Sequence, residues 1–262
     1  MRAWLESTGR ATTDSFAQIG LGALLLWQSV GWVLTGPFRG QRVRLGAIAG
    51  EAMDIGLRAL PIVAILSAAV GAMIAIQGIY TLETFGAESQ VTLGVALSVT
   101  REFAPLITGI LIAGRSGSAL TARLGMMKTN EEINALTVMG INPVRYLVAP
   151  VLIAMLVMVP LVTWFANVVA LLGAGLYITA ELDMTLTVYL QNLQAAVRID
   201  DLLHGLTKSV IFALLITLIA VVNGLSVTGG AEGIGRATTR AVVQAICAIV
   251  VTDMIFAFLA TR

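Results

Sequence analysis

The chain has 262 residues, of which 58% are hydrophobic and 12% charged, and its mean hydropathy is +0.91. Soluble domains carry about 25% charged residues, so this composition excludes an ordinary soluble domain and points to a polytopic membrane protein. The formal net charge is +1, which argues against nucleic acid as a partner.

Residues 15–38 carry no charge. The run is long enough to span a bilayer, yet Gln18, Gln28, Ser29, Thr35 and several glycines interrupt it. Phe16, Ile19, Ala23, Leu26, Trp27, Val30, Val33 and Leu34 form one stripe at helical spacing. The stripe favours a helix lying in the interface over a full span, with Trp27 and Trp32 at headgroup depth. The run leads into Arg39, Arg42 and Arg44 rather than a small-residue cleavage site, which disfavours a signal peptide.

Five spans are expected after it: Ala59 to Leu82, Val91 to Ala113 with helix running on towards Arg123, Tyr146 to Tyr177, Ser209 to Val227, and Ala241 to Ala260. The first is rich in Ser67, Ala68, Ala69, Gly71, Ala72 and Ala75, which let helices approach closely in lipid. Three loops hold most of the positive charge: residues 39–58, 114–145 and 228–240. By the positive-inside rule these face the cytoplasm. The glycines of Thr228 to Gly235 read as a flexible cytoplasmic turn. Residues 181–205 form an outer segment with acidic ends and a helical middle (Leu186, Tyr189, Leu190, Leu193). The whole is expected to be one all-α domain over residues 1–262, with the interfacial region at 1–45.

The stretch from Arg101 to Pro143 is the most informative. Glu102 lies well inside the second span, where an unpaired charge costs several kcal/mol (about 3 or more). Arg101 is adjacent, but successive helix residues point about 100° apart, so it is a poor partner. Lys208 and Asp253 fall in the same outer half of the membrane by the deduced topology, which suggests a polar cavity opening outward. Snorkelling is the plain alternative for Lys208, and a polar contact near the interface for Asp253. Pro105 can kink the helix beside the charges.

Gly114, Ser116, Gly117 and Ser118 lie in a small-residue segment that matches neither a hydrolase elbow nor a phosphate loop. They are expected to serve tight helix packing, including at a subunit interface. Thr129, Asn130, Glu131 and Glu132 fit a capping box. A helix of about ten residues should follow, carrying Ile133 and Leu136 on one face and stopped by Gly140 and Pro143. A helix this short needs something to hold it, either the chain's own loops or a groove on a cytosolic partner.

Cys247, the single cysteine, reads as a small packed hydrophobe. His204, the single histidine, stands beside Asp200 and Asp201 and is expected at the surface. Neither supports a catalytic pair or a metal site. Lys128 and Lys208 are the only lysines and neither completes a Walker A loop, so the chain carries no ATP site of that kind.

REFAPLITGILIAGRSGSALTARLG, EEINALTVMGINPVRYLVAP and GRATTRAVV, in this order, resemble the MlaE-type permeases of lipid-trafficking ABC transporters. The resemblance runs from about Arg58 to the end. It implies a homodimer in the inner (cytoplasmic) membrane, with an interfacial N-terminal helix, five spans and a coupling helix within 127–143. It also implies cytosolic ATPase subunits that bind ATP and magnesium, leaving this chain without a cofactor, and an extracytoplasmic MCE-domain protein. The substrate class would be phospholipid. The pocket charges carry over to Arg101, Glu102, Lys208 and Asp253, and the coupling role to Glu131, Glu132, Ile133, Ala135 and Leu136. On this reading the chain is a transport subunit and not an enzyme. Arg101 or Lys208 would attract a headgroup, and apolar residues of spans one, two and five would hold acyl chains. The rival from the residues themselves is a proton-coupled secondary transporter using Glu102 and Asp253.

Overall fold

The computed structural model describes residues 20–29, 31–32 and 44–260. Among them every regular element is helical. Residues 20–29 form α1, followed by α2 (Leu45–Ile55), α3 (Leu60–Glu83) and α4 (Glu88–Thr129). Then come α5 (Glu132–Val138), α6 (Val144–Glu181), α7 (Leu186–Ala196), α8 (Ile199–Leu225) and α9 (Gly230–Ala260). Among the described residues five segments, ending in α3, α4, α6, α8 and α9, are long and apolar enough to cross a membrane. The helix in the N-terminal stretch is present at 20–29 and 31–32; the flanking parts of the interfacial expectation, 15–19 and 33–38, lie outside the described residues.

The spans are longer than the apolar runs suggest. At 42 residues, α4 is about 63 Å long, twice the roughly 30 Å hydrocarbon core. The fourth span begins at Ile199 rather than Ser209, because Asp201 caps it: its Oδ2 accepts from the Arg198 backbone N–H at 2.9 Å. The fifth begins at Gly230 rather than Ala241, so the glycine-rich turn is confined to its first residues, where Gly229 and Gly230 take φ of 90° and 66°. Pro143 does not block a restart after α5. It precedes a π turn (Val144–Val148) that opens α6, and the Asn142 Oδ1 accepts from the backbone N–H of Val144 and Arg145 at 3.0 and 3.2 Å.

Small residues set the helix crossings. A Cβ on Gly71 would lie 1.9 Å from the Ala170 carbonyl oxygen, and one on Gly173 would lie 2.4 Å from that of Ala68, so α3 and α6 meet backbone to backbone. Helix α4 runs beside α8 in the same direction, with Thr121 Oγ1 donating to the Ala220 carbonyl at 3.1 Å. Helix α9 returns along both, as the alternating topology requires. Helix α7, which connects α6 and α8, lies against α6. Its Tyr189 is fully buried and donates to the Leu171 carbonyl at 2.7 Å. Burial pushes its hydroxyl up to about 12.

Candidate functional site

Helix α4 changes winding where its charges sit. Residues Val99–Phe103 form a π turn, just before the buried Pro105. Proline has no N–H and its ring crowds the carbonyl four residues back, so a widened turn relieves both problems. The turn also aims neighbouring side chains at different points on α8. Opposite it, Asp201, Gly205 and Lys208 recur at helical spacing on one buried face of α8. Gly205 allows the contact: a Cβ there would lie 2.2 Å from the Thr100 carbonyl oxygen.

Two ion-pair groups result. Lys208 Nζ donates to Glu102 Oε2 at 2.5 Å and lies 2.9 Å from Asp253 Oδ1 on α9. The second contact is an ion pair off the hydrogen-bond direction. The Lys208 side chain is 0% exposed, Asp253 15% and Glu102 35%. One ammonium against two carboxylates leaves this group with a formal charge of −1. One helical step away, Arg101 Nε donates to Asp201 Oδ1 at 2.7 Å, and its Nη2 lies 2.5 Å from the same oxygen. Asp201 is buried, whereas the Arg101 side chain is 45% exposed.

The expected meeting of Glu102, Lys208 and Asp253 is therefore present in the geometry. Lys208 is not snorkelling; it is enclosed. Arg101 stands apart from the three, on its own carboxylate. Asp201 is the residue that sequence reasoning missed, since beside Asp200 it reads as part of a polar loop. Its spacing from Gly205 and Lys208 is the signal that identifies it. His204 is not at the open surface either. Its ring packs edge-on to Phe256 at 5.9 Å between centroids, and its enclosed Nε2 has no hydrogen-bond partner.

At the end of α4 remote from the ion cluster, the capping box does not form. Thr129 closes α4, its Oγ1 donating to the Gly125 carbonyl at 2.8 Å. The N-cap of α5 is Glu131, in the left-handed conformation at φ 60° with no side-chain cap. Its carboxylate accepts from Asn134 Nδ2, and Asn130 Nδ2 donates to Glu132 Oε1 at 3.3 Å. Threonine is equally able to end one helix or begin the next, and here the preceding helix claims it. Helix α5 spans seven residues and buries none of them. Glu131, Glu132 and Ala135 are exposed, and Ile133 and Leu136 half-buried. Val138 and Met139 extend the apolar tip at 88% and 64% exposure. Gly140 ends it at φ 76°.

The small-residue segment forms a second π turn, Ala113–Gly117. Gly117 meets α8 there, its Cβ position 3.1 Å from Ile216, whereas Gly114 faces open space; Ser118 donates to the Arg115 carbonyl at 2.9 Å. Ser116 lines a cavity of about 270 Å³ between α2, α4 and α6. Arg123 pairs with Glu51 at 2.7 Å beside it. Cys247 is exposed on α9 rather than packed. No grouping of histidine, cysteine and carboxylates suited to a metal exists among the described residues.

Five apolar spans with a buried ion cluster and a short exposed helix define a multi-pass helical membrane protein of the permease kind. The sequence model described as Permease MlaE matches residues 48–259. The chain belongs to the MlaE permease family. It is 31% identical over 242 residues to a probable ABC transporter permease of Rickettsia typhi, covering 92% of each chain. It is 30% identical over 256 residues to the intermembrane phospholipid transport system permease protein MlaE of Haemophilus influenzae, covering 96% and 95%. It is also 32% identical over 200 residues to the chloroplastic trigalactosyldiacylglycerol 1 protein of Arabidopsis thaliana, covering 76% of this chain and 57% of that one. The chain is a transport subunit of an ABC transporter and not itself an enzyme.

Proposed function

We propose that two copies of this chain form the permease of an ATP-driven phospholipid transporter in the inner membrane, passing lipid between that membrane and an extracytoplasmic MCE-domain protein. The observation that carries this reading is the Glu102–Lys208–Asp253 cluster between α4, α8 and α9, in a chain whose relatives bear ABC permease and phospholipid-transport names. A charge cluster is costly inside spans and is retained where it lines a path or a cavity. Lys208 fixes the two carboxylates. Arg101, half-exposed beside Asp201, supplies the charge that meets a headgroup. The apolar faces of α3, α4 and α9 hold acyl chains. ATP and magnesium bind the cytosolic partner subunits, whose closure pushes on Glu131, Glu132, Ile133, Ala135 and Leu136 of the α5 segment. Gly114, Ser116 and Ser118 lie on the α4 segment suited to the subunit interface, with Gly117 serving contact within the chain. The ABC names of the relatives do not favour the proton-coupled rival.

Native mass spectrometry of the gently solubilised complex tests the assembly. Two copies of this chain with ATPase subunits, an extracytoplasmic oligomer and retained phospholipid is the expected result. A chain recovered without partners across several mild detergents would overturn it.

A further inference from the structure

A second, separate site lies at the opposite, cytoplasmic level of the membrane. An apolar cleft of about 630 Å³ opens between α1, α8 and α9, lined by Gly22, Ala23, Trp27, Leu215, Leu218 and Val222 among others. That size falls within the roughly 300–1,000 Å³ typical of small-ligand pockets. Its polar edge is Asn223, whose Nδ2 donates to Gln244 Oε1 at 2.7 Å. Gln244 also lines a groove with Arg236 and Arg240, one turn nearer the cytoplasm on α9.

The chemistry is layered along the membrane normal. Arg240 is the last charge before the uncharged run from Ala241 to Thr252, so it stands at headgroup depth. The amide pair comes next. From Asn223 to Leu215 the cleft then rises about 12 Å along α8 through apolar side chains alone. Cation, amide and apolar wall follow the order of phosphate, ester and acyl chain in a phospholipid. Arg236 is already paired, 3.3 Å from Glu232. Among the described lysines and arginines, Arg240 alone has no hydrogen-bond, ion-pair or ring partner there. Trp27, on the cleft wall, is 78% exposed.

We infer that this cleft binds one anionic phospholipid of the cytoplasmic leaflet, its headgroup on Arg240, its ester region at the Asn223–Gln244 pair and an acyl chain between α1 and α8. The site does not involve the ion cluster, and its occupation needs no nucleotide and no partner chain.

Trp27 provides the probe. The full chain, with Trp4, Trp32 and Trp164 changed to Phe, is reconstituted in phosphatidylcholine vesicles containing phosphatidylglycerol or phosphatidylcholine brominated on an acyl chain. Brominated phosphatidylglycerol should quench Trp27 several-fold more effectively than brominated phosphatidylcholine. Arg240→Gln should lower that preference about five-fold, from the attraction of one arginine at an anionic surface. Arg240→Lys should retain it, as should Arg58→Gln elsewhere on the cytoplasmic side. Equal quenching by the two lipids, or an unchanged preference in Arg240→Gln, overturns the headgroup assignment. No quenching by either lipid means that protein covers the cleft, a second copy or another segment of the chain, and overturns the site. Because the assay involves no transport, its failure would leave the proposed transport function standing.

Discussion

Replacing Lys208 with methionine keeps the volume and removes the charge that links α4, α8 and α9. Glu102 and Asp253 are then left facing each other with no counter-ion. Breaking a buried ion pair by removing one partner costs about 3–5 kcal/mol, most of it the uncompensated charge that remains. Glu102 is 35% exposed and can be wetted, so the lower end applies, about 3 kcal/mol. The assay is equilibrium unfolding in mixed detergent micelles, followed by circular dichroism. The triple variant Lys208→Met, Glu102→Gln, Asp253→Asn should regain most of the loss, because the carboxylates' desolvation is removed along with their partner. A single Lys208→Met variant within about 1 kcal/mol of the parent would match an exposed pair and refute the reasoning.

Gly205→Ala should also destabilise, by about 1–3 kcal/mol, since its Cβ would meet the Thr100 carbonyl at 2.2 Å; an unchanged melting temperature would count against the close crossing. Ala135→Asp should abolish co-purification of the ATPase subunits while leaving the chain's own helical content and melting unchanged, because Ala135 is exposed and α5 has no fully buried residue. The Tyr189 hydroxyl ionises in the unfolded chain near 10 and in the fold near 12, so the folded state binds more protons between those values. Its contribution is complete below about pH 10 and is lost as pH rises towards 12. Tyr189→Phe should flatten that alkaline decline in an unfolding titration.

The number of spans and their order were legible because lipid demands long apolar helices. Counting residues along those spans was enough to bring Glu102, Lys208 and Asp253 to one level. It was not enough to find Asp201, because a polar residue at a span's end reads as loop until its spacing from Gly205 and Lys208 is weighed. Helical geometry already turned Arg101 away from Glu102, but it did not give Arg101 its own carboxylate, because Asp201 was read as loop and the π turn at Val99–Phe103 was not anticipated. Thr129 shows a local ambiguity: the same side chain fits the end of α4 as well as the start of α5, and only the left-handed Glu131 decides between them. Cys247 illustrates the difference a bilayer makes. In water an apolar run implies burial on one face, whereas a membrane helix exposes apolar side chains to lipid at no cost.

If the ion cluster belongs to the lipid path, removing the Glu102 carboxylate should stop transfer, and Glu102→Ala is the variant to measure. The variant permease, assembled with its ATPase and MCE partners in vesicles, is assayed for ATP-dependent transfer of labelled phospholipid. Intact assembly with transfer lost is the predicted result. Transfer at the parental rate from a fully assembled Glu102→Ala complex would contradict the account.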